Sequence, residues 1–117
     1  MSDYDADVVV WAHREHPLQD LCERAVRAKT HKTNYRFHRS IAPTDCHQGM
    51  SRALKTGSAR YVCLLDEDVE VLTDDWLAHL IRALEQDESL ACVNAVEYKD
   101  EFRRHGYLQV MDGKYCG

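Results

Sequence analysis

The chain has 117 residues, 44% of them hydrophobic and 30% charged, with a net charge of −5 at neutral pH. That length matches one core burying roughly two-thirds of the unfolded surface, so a single domain over residues 1–117 is expected. The composition excludes wholesale disorder, the longest apolar run is far below the roughly 20 residues that cross a bilayer, and the acidic balance argues against nucleic acid as a partner. The first five residues are acidic and lack the basic and apolar regions of a signal peptide, so the chain reads as soluble and cytoplasmic.

Residues 7–12 (DVVVWA) are β-branched and aromatic, the pattern of a buried strand. Pro17 suits the first turn of a helix. Leu18, Leu21, Cys22, Ala25 and Val26 then form one apolar stripe at helical spacing. Residues 34–39 (NYRFHR) alternate, with Tyr35, Phe37 and Arg39 on one side, and predict a second strand. Thr44 or Asp45 can cap a second helix that carries Met50, Ala53 and Leu54 and stops at Gly57. Residues 61–65 (YVCLL) are apolar at every position, as in a central parallel strand covered on both faces.

Thr73 is a suitable N-cap for a third helix, with Asp74 and Asp75 where a helix N-terminus favours negative charge. Its apolar stripe is Trp76, Leu77, Leu80, Ile81 and Leu84. Residues 90–96 (LACVNAV) are a fourth strand candidate and residues 107–111 (YLQVM) a fifth; the charged stretch 97–105 reads as an exposed loop or a frayed short helix. Strand and helix alternate from end to end, which implies an α/β fold with an open, mostly parallel sheet and flanking helices.

The five cysteines (Cys22, Cys46, Cys63, Cys92 and Cys116) are widely spaced and contain no C-x-x-C, which predicts reduced thiols rather than a disulfide or zinc framework. His13-x-x-His16 has zinc-compatible residue types but no further ligands at matching spacing. Charge is unevenly placed. Residues 24–60 hold nine Lys or Arg and one acid, Asp45, whereas residues 61–117 hold thirteen acids and five Lys or Arg. The split reads either as two solvated faces or as a basic wall facing an acidic, metal-binding edge.

In open α/β sheets, ligands bind outside the carboxyl ends of the strands. The third predicted strand runs into Asp66-Glu67-Asp68-Val69-Glu70. In an extended chain Asp66 and Asp68 project the same way and Glu67 the other. Two adjacent carboxylates repel unless a cation lies between them, and a hard Mg²⁺ or Mn²⁺ would keep positions open for substrate phosphates. The competing reading is an acidic loop that caps the next helix. No G-x-x-x-x-G-K-[ST] and no G-x-G-x-x-G is present, which argues against a phosphate-loop ATPase and a dinucleotide enzyme. A receiver-type domain would want an acidic pair after the first strand and a lysine after a late one, and neither is found.

The stretch Gln48-Gly49-Met50-Ser51-Arg52-Ala53, then Arg60-Tyr61-Val62-Cys63-Leu64-Leu65-Asp66-Glu67-Asp68-Val69, then Trp76-Leu77, Leu80 and Leu90-Ala91-Cys92-Val93, resembles the nucleotide-sugar half of family 2 glycosyltransferases. Val8 to Glu15 is similar, more loosely, to that family's first strand and loop. The resemblance implies a reduced GT-A (nucleotide-diphospho-sugar transferase) Rossmann-like fold. It implies metal-dependent binding of a nucleotide-sugar, a UDP-sugar, and glycosyl transfer to an acceptor it does not identify. Asp68 matches the last aspartate of the family's D-x-D and would bind the Mn²⁺ or Mg²⁺ that holds the donor diphosphate. Asp66 matches the first and would face the ribose and the metal's water shell. By the same likeness Ala12, His13 and Glu15 would lie beside base and ribose, and Arg52 would contact base or phosphate.

The sequence departs from the family pattern in three places. The second strand ends Arg39-Ser40, without the aspartate that pairs with uracil, and one βα unit is missing before the D-x-D strand. The acceptor-binding half, which supplies the general base, would begin where these residues stop; Asp100, Glu101, His105 and Asp112 sit in no recognisable motif. His105 reads as a solvated loop histidine, or, by likeness to a C-terminal histidine of some GT-A enzymes, as a third metal ligand. Two other readings therefore stand beside the first. One is a non-catalytic GT-A-like binding or assembly module; the other is a homo-oligomer or heteromer whose partner completes the site.

Overall fold

The computed structural model describes residues 4–90, 95–96 and 107–108. The chain divides into two compact units, residues 1–24 with 33–69, and residues 25–32 with 70–117. In the first unit, strands β1 (Ala6–Ala12), β2 (Tyr35–Ile41) and β3 (Tyr61–Asp66) form a parallel sheet in the order β2-β1-β3. Helix α1 (Pro17–Lys29) connects β1 to β2 and helix α2 (Cys46–Leu54) connects β2 to β3. The register sets Val8 opposite Phe37 and Cys63, and Trp11 opposite Ser40 and Asp66.

Parallel crossovers are right-handed, so connections that run in opposite directions across the sheet, β1 to β2 and β2 to β3, put their helices on opposite faces. Side chains agree. Arg39, on the sheet face of Val8 and Val10, reaches Asp20 and Glu23 of α1 at 2.8 and 2.9 Å. Trp11, on the other face, lies against Gly49 of α2. Cover on both faces explains why Ala6, Val8, Val9 and Val10 are fully buried. The all-apolar β3 was the expected central strand, yet β1 takes the centre and β3 is an edge among the described residues, with Val62 41% exposed.

The stripe of α1 also differs from expectation. Gln19, Cys22 and Val26 are buried, while Leu18 and Leu21 are exposed. These three share a face at i, i+3 and i+7, so the helix is rotated from the purely apolar stripe to seat a polar residue. Asp45 caps α2, its carboxylate accepting the Gln48 N–H at 2.8 Å.

At the amino end of β1, Asp7 is buried and accepts from the Ser58 and Ala59 N–H groups at 2.9 and 2.8 Å. It also meets His38 Nε2 at 2.7 Å and Arg36 Nε at 3.3 Å. Burial pushes its carboxyl up, but those hydrogen bonds and the Arg36 charge outweigh burial and hold it below the ordinary value. The chain reaches Asp7 through Gly57, whose φ of +84° is left-handed and whose Cβ, were there one, would collide with the carboxylate.

The second unit contains the end of α1, helix α3 (Trp76–Gln86), and β4 (Ala95–Val96) paired antiparallel with β5 (Tyr107–Leu108). The parallel arrangement therefore belongs to the first unit's sheet; the rest of the two late strand candidates, and the stretch 97–105, lie outside the described residues. Trp76 is buried and its indole N–H donates to Thr30 Oγ1 at 2.8 Å. The N-cap of α3 is Asp75 rather than Thr73, and it makes no side-chain cap. It takes the left-handed conformation (φ 54°, ψ 35°) and turns its carboxylate to the His31 and Lys32 N–H groups at 3.0 and 3.1 Å. Asp74 pairs with Lys29 and His31 instead of serving the helix end. Among the described residues no helix is long and apolar enough to cross a membrane.

Candidate functional site

The chain leaves β1 toward β2 and later crosses back past β1 to β3, so the strand order reverses between β1 and β3. Their carboxyl ends frame the crevice where such sheets bind ligands. Register places Trp11 beside Asp66 there, and the indole Nε1–H donates to Asp66 Oδ1 at 2.7 Å. This charge-assisted bond fixes one oxygen of an exposed carboxylate. Gly49 makes room for the indole, since a Cβ at that position would lie 3.1 Å from Trp11 Cε3. The His13 ring packs edge-on against Trp11 at 5.6 Å between centroids, and its Nε2 lies 4.0 Å from Cys46 Sγ at the start of α2.

After Asp66 the strand stops. The Val69 N–H donates to the Asp66 carbonyl at 3.2 Å, closing a turn through Glu67 and Asp68. The alternation of an extended chain ends there, so the shared facing expected of Asp66 and Asp68 does not follow from the backbone. Glu67 is half-buried and accepts from Gln19 Nε2 at 3.1 Å. The same amide donates to the Arg14 carbonyl at 2.7 Å. Asp68 is exposed, and its charge reaches the Cys22 thiol, which burial above all pushes up to about 11. Cys63 is half-buried as a residue, but its sulfur is enclosed, and burial pushes that thiol up to about 12.

Of the residues expected in the site, Ala12 is buried at the end of β1, its carbonyl accepting the Ala42 N–H at 3.0 Å. His13 and Glu15 are exposed in the loop between β1 and α1. Arg52 is exposed in the last turn of α2, roughly 9 Å along the axis from Cys46 at 1.5 Å per residue, toward the amino ends of the strands. His16 caps α1, its Nδ1 accepting the Leu18 N–H at 3.1 Å. His105 lies outside the described residues. Arg36 and Arg39 of the basic stretch are engaged with Asp7, Asp20 and Glu23 inside the first unit.

Sequence reasoning missed Trp11, Gly49, Cys46 and Gln19. Only Gln19 left a local signal, its helical register with Cys22 and Val26. Among the described residues no group of three or more His, Cys, Asp or Glu converges as a metal site. Asp66 and Asp68 still offer exposed, hard oxygen donors. They fit a Mg²⁺ or Mn²⁺ that draws its other ligands from phosphate and water, not one caged by protein.

The open three-strand parallel sheet and its flanking helices form a reduced, Rossmann-like GT-A fold. The model for Glycosyl transferase family 2 matches residues 17–114, and the chain belongs to that family. Glycosyl transfer is the family's general activity, and it implies a nucleotide-sugar donor and an acceptor. No curated protein and no solved structure matches the chain.

Proposed function

We propose that the crevice between the carboxyl ends of β1 and β3 binds the nucleotide diphosphate of a sugar donor, a UDP-sugar, for hexosyl transfer. The observation that carries this reading is Asp66, held by Trp11 at the point where strand order reverses, with Asp68 exposed in the turn that follows. Asp66 and Asp68 would hold a Mn²⁺ or Mg²⁺, which when bound offsets the charge that grows on the leaving diphosphate. The protein's own part is positional. Trp11 restricts Asp66, Gly49 leaves the indole its space and His13 packs on its edge, and the loop of His13 and Glu15 that follows Ala12 is offered to base and ribose.

Calorimetry of UDP with and without Mn²⁺ tests the reading. Binding should strengthen with Mn²⁺ and lose that gain in Asp68→Ala; an unchanged Mn²⁺ response in the variant removes Asp68 from the metal. Release of sugar from the donor by the purified chain, abolished in Asp66→Ala, separates transfer from binding alone.

A further inference from the structure

Gln19 is a neutral amide with no solvent exposure, the bulkiest fully buried side chain among the described residues. Its Nε2 ties two segments that meet at the crevice, the Arg14 carbonyl after β1 and the Glu67 carboxylate after β3. Its Oε1 is buried with no hydrogen-bond partner. On stability alone the amide is an indifferent choice, because two bonds are made at the cost of one stranded acceptor. An apolar side chain of equal length would strand nothing, and water could serve exposed Arg14 and half-buried Glu67. Only the tie between the two segments would be lost.

The tie has a direction. Glu67 is drawn inward, while its neighbours Asp66 and Asp68 remain exposed. The turn from Asp66 to Val69 is therefore pinned from within at Glu67, the first of its two middle residues. We propose that Gln19 is a positioning residue of the glycosyl-transfer site, latching the β1–α1 loop to Glu67 and holding the turn that presents Asp66 and Asp68 to the donor. This rests on the donor-site reading above, but the latch itself has a readout that needs no donor.

That readout is hydrogen-exchange protection of the Val69 amide, which bonds the Asp66 carbonyl. In Gln19→Met the melting temperature should stay within a few degrees of wild type, while Val69 protection falls about tenfold, the scale of one charge-assisted bond. UDP affinity should fall about tenfold with Mn²⁺ and little without it. Gln19→Glu adds a signature that space-filling alone would not produce. At about pH 8 its carboxylate repels Glu67 and Val69 protection is lost. Protection lower in Gln19→Glu than in the uncharged Gln19→Met marks that repulsion.

Unchanged Val69 protection in both variants overturns the latch. Lost protection with unchanged UDP affinity in Mn²⁺ overturns the positioning role. If the wild-type chain binds no UDP, the donor reading falls, and Val69 protection alone decides whether the latch stands.

Discussion

Asp7 is a charged residue at the start of a valine strand, and its setting explains why it is tolerated there. Two backbone N–H groups, His38 and Arg36 surround a carboxylate that is 1% exposed. A buried charge with its partners complete is stable, but removing it strands every partner at once. Asp7→Ala should therefore cost about 3 kcal/mol in denaturant unfolding. The pH dependence follows from the depressed carboxyl. Its stabilisation is complete above the ordinary value of 3.8 and is lost as pH falls through the lower folded value. Wild type should lose stability in that acid window, and Asp7→Asn should show a flatter acid limb. Equal slopes for the two proteins below pH 3.8 would count against this account.

Among the elements, α1 separates what periodicity conveys from what it does not. Pro17 at the first turn and the helical spacing were legible, and so was a cap for α2 at Thr44 or Asp45, of which the structure uses Asp45, because each is a local signal. The face that α1 buries was not legible. Leucine at 18 and 21 outweighs glutamine at 19 on any hydropathy count, yet Leu21 is 55% exposed and Gln19 is sealed. Gln19 finds its partners in the loop after β1 and the turn after β3, where no local pattern points. Leu21→Ser should change stability by no more than about 0.5 kcal/mol, whereas Val26→Ala on the buried face should cost about 2 kcal/mol. Thermal melts of the two variants compare them directly; equal losses would restore the purely apolar stripe. Asp75 makes the same point at α3. Its position suggested a negative charge set against the helix N-terminus, but its carboxylate accepts the His31 and Lys32 N–H groups just past α1, 44 and 43 residues away.

At the scale of the molecule, the alternation of strand and helix gave away the α/β class, and the acidic run after an apolar strand marked one end of the crevice. Strand order was beyond reach, because β1 and β3 are both apolar and nothing local says which is central. The Trp11–Asp66 bond crosses 55 residues and follows from that order alone. The thiols report on the same architecture. Cys22 and Cys63, on α1 and β3, are raised to about 11 and about 12 and are enclosed, whereas Cys46 is exposed. Site-resolved mass spectrometry after brief alkylation should find Cys46 modified before Cys22 and Cys63, which follow at the rate of unfolding. Modification of Cys63 as fast as Cys46 would contradict the enclosed β3 thiol. The middle position of β1 carries one more implication, for synthesis. The sheet's spine is made first, yet its two neighbours begin only at Tyr35 and Tyr61. A nascent chain therefore carries a valine-rich strand, built to be covered on both faces, before either pairing partner exists. Such segments are prone to self-association while they wait. Cooler expression or a holding chaperone should raise the yield of folded protein without altering the stability of the finished fold.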